Sequence, residues 1–322
     1  MAVSISTTIT TPLSLVEYAK TLNENDPTRT FVENMVDQSD VLRAMPILPA
    51  SMGKRAFMDI GSLPTVGFRG LNEAGNQGTG TFNLREEDTF FIDEYIFTDR
   101  ALIDRLGTEH KYRQENLKTI ALSQYFSQNI IKGDNTSNPR TPNGIQSRCG
   151  TVGLNLINNS AAAGGAALSL ANLDQLYWLV NRPTHWIFPR GLMPFLDIAA
   201  RSNTLTNQAF TEYRDDFGRL IKAYKGVPIL YGYDPDDSPD LLPFTEVASG
   251  GGGAVTSSIY CVSFRDGGMY AIEQTPLSVM PEGPMIGQPF DSTHIKWDWG
   301  ICKEHPRACA RLTSVTAATI VA

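Results

Sequence analysis

The chain has little of what chemistry at a compact site requires, with four histidines and four cysteines spread over 322 residues. Disulfide frameworks pack cysteines densely into small domains. Cys149, Cys261, Cys302 and Cys309 lie far apart in a large chain and read as free, mostly buried thiols. A zinc set drawn from His294, Cys302, His305 and Cys309 matches no standard ligand spacing, and strand alternation scatters its side chains. No run approaches the ~20 apolar residues of a bilayer span, so no membrane association is expected. Met1 to Thr11 is rich in Ser and Thr and shows neither the basic stretch nor the apolar run of a secretory signal, which implies synthesis in the cytoplasm.

Positive charge is also in short supply. Lys and Arg number 27 against 34 Asp and Glu, giving a net charge of -7. Affinity for a polyanion comes from clustered cations, and there is no such cluster, so nucleic-acid binding is not the main activity. The glycine tract at 250–253 lacks the preceding strand, the following helix and the Lys-Ser/Thr of a phosphate loop. The acidic run Asp234, Asp236, Asp237 and Asp240 lacks the Gly and the distal Glu of a calcium loop and is broken by Pro235 and Pro239. No catalytic set, metal set or cofactor motif emerges, which favours a structural or binding role over an enzyme.

The composition that is present, 42% hydrophobic and 19% charged, is that of a folded protein long enough for two core-forming lobes. Leu15, Tyr18, Ala19 and Leu22, then Phe31, Met35 and Val36, give two short helical patterns with too few apolar residues for a core of their own. Residues 53–84 are dense in glycine and predict a long irregular excursion. Its apolar residues are too few and too interrupted for a core, yet Phe57, Val66 and Phe68 are costly to leave in water. Asp88 to Thr98 is aromatic and β-branched, the content of a strand. Asp104 to Lys132 predicts a long helix, with Leu122, Phe126 and Ile130 spaced four apart on one face and Gly133 as its stop.

Beyond a polar loop at 134–159, Ser169 to Val180 and Pro189 to Ala200 read as helices around a short strand at His185 to Phe188. Two hairpins are predicted, one turning at Lys225-Gly226 and one joining Ser257–Phe264 to Met269–Glu273 across Arg265-Asp266-Gly267-Gly268. Thr293 to Ile301 alternates Ile295, Trp297, Trp299 and Ile301 with Lys296, Asp298 and Gly300, so one strand face is apolar.

Three blocks, Leu63-Pro64-Thr65-Val66-Gly67-Phe68-Arg69-Gly70-Leu71-Asn72-Glu73, then Asp216-Phe217-Gly218-Arg219 with Tyr224-Lys225-Gly226-Val227-Pro228-Ile229, then Ile295-Lys296-Trp297 through Pro306-Arg307-Ala308-Cys309-Ala310-Arg311-Leu312, resemble the major capsid proteins of tailed bacteriophages in order and span most of the chain. The resemblance implies the α+β fold shared by tailed-phage and herpesvirus capsids. On that pattern residues 1–49 are an N-terminal arm and 50–84 an extended loop. Residues 85–150 are a peripheral domain with a spine helix at 104–132, 151–289 an axial domain, and 290–322 a C-terminal strand returning to the peripheral domain.

The implied function is self-assembly, as pentamers and hexamers, into an icosahedral head around double-stranded DNA that is held without sequence-specific binding. Assembly is expected in the host cytoplasm, with a portal protein, decoration proteins and, since no built-in scaffold precedes the arm, a separate scaffolding protein. Some relatives cross-link subunits through Lys and Asn, but Lys54 lies at the base of the loop and that chemistry is not carried over. Phe57, Val66, Phe68, Arg69, Asn72 and Glu73 are the expected contacts between subunits. The shell of a cellular nanocompartment of the same fold is the alternative.

Overall fold

The computed structural model describes residues 13–24, 26–201, 210–214, 220–231 and 240–321. The expectations for Met1 to Thr11, for the Asp216-Phe217-Gly218-Arg219 block and for most of the acidic run lie outside the described residues.

Local capping starts the first three helices. After β1 (Leu13–Ser14), Ser14 and Glu17 exchange side-chain and backbone hydrogen bonds in a capping box that opens α1 (Leu15–Thr21). Asp26 caps α2 (Pro27–Asp37), with Pro27 in the first turn where its missing N–H costs nothing, and Ser39 caps α3 (Asp40–Ala44). There follow β2 (Pro46–Pro49), β3 (Lys54–Ser62), β4 (Thr81–Asp88) and β5 (Phe90–Asp99).

The predicted long helix is interrupted near its start. Gly107, at φ +80°, ends α4 (Arg100–Leu106), and α5 then runs Glu109–Lys132, 24 residues or about 36 Å. A left-handed glycine breaks the i to i−4 ladder, which the apolar pattern on either side does not reveal.

The second half contains α6 (Ile145–Arg148), β6 (Leu156–Asn158), β7 (Ala166–Ser169), α7 (Leu170–Leu179), β8 (His185–Ile187) and, after a 3-10 turn at Arg190–Leu192, α8 (Met193–Arg201). The strands β9 (Phe210–Arg214), β10 (Leu220–Tyr224), β11 (Val227–Leu230), β12 (Glu246–Val247), β13 (Ala254–Val262), β14 (Met269–Pro284), β15 (Phe290–Lys303) and β16 (Cys309–Val321) complete the chain.

Among the described residues the strands form three sheets. One has the order β1-β2-β14-β15-β5, and a second, nine-stranded, runs β6-β16-β13-β8-β11-β10-β9 with β7 and β12 attached to β16 and β13. The third is the two-stranded β3-β4 ribbon. The hairpin at Lys225-Gly226 is present, with Ala223 opposite Pro228 and Tyr224 opposite Val227.

The hairpin expected between Ser257–Phe264 and Met269–Glu273 is not. β13 is already paired on one edge with β16 and on the other with β8, so no edge is left for β14. The chain instead crosses at Arg265 to Gly268 into the five-stranded sheet, where β14 pairs with β15 and β2. The terminal segment 290–322 likewise is not one returning strand. β15 lies between β14 and β5, whereas β16 enters the nine-stranded sheet.

Helix α5 packs along the five-stranded sheet. Leu122, Phe126 and Ile130 are buried with Ile295, Trp297, Trp299 and Ile301 of β15, as their spacing predicted. Phe31, Val32, Met35 and Val36 of α2 enter the same core, so the helices before residue 49 seat on their own subunit. The serine hydroxyls of Ser39 and Ser127, 2.6 Å apart and buried, tie the α3 cap to α5. A second core, with Trp186 and Phe188 at its centre, lies between α7, α8 and the nine-stranded sheet.

Candidate interaction surface

Among the described residues no three His, Cys, Asp or Glu side chains gather as metal ligands, and no helix is long and apolar enough to cross a membrane. The residues of the supposed zinc set separate: His294 stacks on Tyr95 at 4.4 Å and pairs with Asp93, Cys302 sits in a small cluster with Tyr270, and Cys309 lies 3.3 Å from Cys149. The feature that stands out is a surface, the β3-β4 hairpin with its tip.

Strand alternation divides the ribbon into two faces. On one, Phe57 is half-buried against Leu48, Tyr270, Ile272 and Cys302. The residue expected to meet a neighbour therefore anchors the hairpin to its own subunit, because its odd-numbered position puts it on the inward face. Arg55 and Asp59 share that face, and Arg85 reaches Asp59 at 3.3 Å.

On the other face Met58 stands opposite Leu84 and Ile60 opposite Phe82, all four exposed. Sequence reasoning missed this strip. Its signal was the apolar alternation at 58 and 60 and again at 82 and 84, hidden because the glycines nearby suggested irregular chain.

Beyond the Ser62–Thr81 pair the chain leaves the ribbon and runs without strand pairing to Gly80. Here Val66 is 90% exposed, Leu71 98% and Phe68 fully exposed, with Leu63 close behind. A four-residue turn holds the end. The Glu73 carboxylate accepts from Gly70 N at 2.9 Å, Arg69 donates to Glu73 O at 3.2 Å, and Asn72 takes the left-handed φ of +67° that Asn tolerates. Of the six expected contacts, the tip carries Val66, Phe68, Arg69, Asn72 and Glu73.

The base is held by charge. Arg148 donates to both carboxylate oxygens of Glu87, at 2.5 and 2.9 Å, and to Ile301 O at 3.0 Å. Lys54 donates to Glu86 at 3.1 Å and lies 3.6 Å from Asp88; the hydrogen bond first, then the two negative charges, hold its ammonium above the usual lysine value. Gly53 N donates to Gln274 Oε1. Eight large apolar side chains thus project on an arm that is fixed at its base and uncovered beyond it, and a lone two-stranded ribbon of this kind gains little stability by itself.

Nearly the whole chain is similar in fold to solved structures. The subunit of the holo-SrpI encapsulin complex of Synechococcus elongatus superposes with a TM-score of 0.62 at 14% identity, covering 95% of this chain and 97% of that one. The Mycobacterium phage Bobi structure gives 0.57 at 11% identity, over 96% and 99%. The capsid of a native GTA particle gives 0.56 at 13%, over 84% and 88%. Likeness at such low identity establishes the fold: the chain has the α+β fold of the encapsulin and GTA capsid subunits.

Sequence decides the family. Residues 23–228 match the family model of major capsid protein GP7, and the chain belongs to that family. It is thus a tailed-phage major capsid protein, which builds a shell from copies of itself. No protein of curated function matches it in sequence.

Proposed function

We propose that residues 50–84, which hold β3, the tip and the first half of β4, are the extended loop through which each subunit clasps its neighbour in an icosahedral head. The observation that carries this reading is the exposure of Met58, Ile60, Leu63, Val66, Phe68, Leu71, Phe82 and Leu84 on one arm. Contiguous apolar surface of this extent marks an interaction site, and in a protein that assembles with itself the covering surface is another copy. Arg69, Asn72 and Glu73 supply the polar rim, where single contacts are typically worth less than ~1 kcal/mol.

In this reading residues 1–49 form the arm. The five-stranded sheet with its α5 spine is the peripheral domain, and the nine-stranded sheet the axial domain around which pentamers and hexamers close. The subunits assemble in the host cytoplasm with a separate scaffolding protein and a portal, and enclose double-stranded DNA without reading its sequence or catalysing a reaction. The net charge of -7 suits a wall that must contain DNA without gluing it down.

Ser62 and Thr81 are paired, so a short Gly-Ser turn can replace residues 63–80 without disturbing the ribbon. The replacement is expected to give a soluble subunit with unchanged circular dichroism that no longer sediments as shells. Shells at normal yield and stability refute the role given to the tip.

A further inference from the structure

The thiols of Cys149 and Cys309, 160 residues apart in sequence, lie with their sulfurs 3.3 Å apart and almost no solvent contact. Cys149 closes α6 and Cys309 opens β16, so the pair joins the segment that follows the spine helix to the nine-stranded sheet. The residue before Cys149 is Arg148, whose guanidinium holds Glu87 at the hairpin base. The geometry points to Cys149 and Cys309 as a site of oxidative modification: an intramolecular disulfide that forms when the subunit leaves a reducing compartment and ties the end of α6 to the nine-stranded sheet beside the hairpin anchor.

The surroundings favour one sulfur as the nucleophile. The Cys149 thiol donates its hydrogen bond to Cys309, and the positive charges of Lys303 and Arg148 lie close, so the Cys309 thiol is drawn below the usual thiol value despite its burial. That hydrogen bond and burial push Cys149 well up. Thiolate is the form that reacts. Cys149 is followed by the exposed stretch 150–154, so opening of one short segment exposes the pair, whereas Cys261 lies deep in the second core.

With a small disulfide such as oxidised glutathione as oxidant, the chemistry balances. The Cys309 thiolate attacks one glutathione sulfur, the glutathione S–S bond breaks, and one glutathione thiolate leaves. The Cys149 sulfur, giving up its proton, displaces the second glutathione from the mixed disulfide. Two protein thiols are oxidised to one S–S bond, one glutathione disulfide is reduced to two thiols, and the two protein protons end on those thiols. Reducing cytoplasm keeps the pair open and an oxidising exterior closes it. Cross-linking residues so distant in sequence removes much chain entropy from the unfolded state, so the closed form is the more heat-resistant.

The test equilibrates the full-length chain in glutathione buffers from fully reduced to fully oxidised, followed by denaturation, alkylation and peptide mapping. The expected result at the oxidising end is a Cys149–Cys309 cross-linked peptide, a chain lighter by two hydrogens, Cys261 and Cys302 still alkylated, and a Tm several degrees above that of the reduced chain. Cys149→Ser and Cys309→Ser each remove the cross-link and the rise in Tm. Because burial slows access, a parallel sample is unfolded in urea and refolded in the same buffers. If that refolded chain keeps both thiols free in the fully oxidised buffer, or joins either one to Cys261 or Cys302, the proposal is overturned.

Discussion

Phe126 of α5 meets Trp299 of β15 edge to face, with ring centroids 5.2 Å apart and planes at 81°, while Trp297 lies 4.7 Å away on the same strand. A ring edge against a ring face is a favoured aromatic geometry and adds roughly 0.5–1.5 kcal/mol to the burial of the rings. This contact joins the spine helix to the five-stranded sheet, the support from which the hairpin projects.

Phe126→Ala empties that junction. Phe126 is 2% exposed, so the substitution loses its transfer energy and leaves a cavity, at a cost of about 3–5 kcal/mol. Urea denaturation of the unassembled subunit should show a midpoint lowered accordingly. A variant that melts like the wild type contradicts the packing of α5 on β15.

Gly300 is required by a close approach. A Cβ at this position falls 2.5 Å from Asp88 O and 3.2 Å from Thr89 Cα, where the end of the hairpin crosses β15. Gly300→Ala should cost about 1–3 kcal/mol through forced backbone shifts. Limited proteolysis should then cut the hairpin faster in the variant than in the wild type.

Glu273 gives the subunit a pH dependence of definite sign. Burial raises its carboxyl above the usual value, opposed in part by Trp297 Nε1, which donates to it at 3.1 Å. The native state therefore holds a proton that the unfolded chain has already released, and stability falls as pH rises from the ordinary carboxylate range through the raised native value. Glu273→Gln should raise Tm near neutral pH and gain little in acid below both values. A gain that is equal at both pH values, or a loss at neutral pH, contradicts this account.

Phe68→Ser separates folding from assembly. The side chain is fully exposed in the subunit, and surface substitutions away from packed features usually change stability by less than ~0.5 kcal/mol. The unassembled subunit should melt like the wild type while sedimentation shows fewer or weaker shells. A drop in subunit Tm would place Phe68 against its own chain.

Where the determinant was local, the sequence could be read directly. The four-residue spacing of Leu122, Phe126 and Ile130, the alternation of Ile295, Trp297, Trp299 and Ile301, and the turn at Lys225-Gly226 each specify an element within a dozen residues, and each element is present. The glycine-interrupted residues of the hairpin tip announced side chains with no core of their own, and Val66 and Phe68 are exposed.

Partnership between distant segments was decided only in three dimensions. Whether β13 turns back onto β14 depends on which strand edges are free, and β8 and β16 had taken both. Whether Phe57 faces a neighbour or its own subunit depends on Leu48, Tyr270 and Ile272 arriving beneath it from elsewhere in the chain. The 3.3 Å approach of Cys149 to Cys309 spans 160 residues. Propensity and periodicity act over one or two turns of chain, whereas edge pairing and burial are settled by competition among segments that come together only when the core closes.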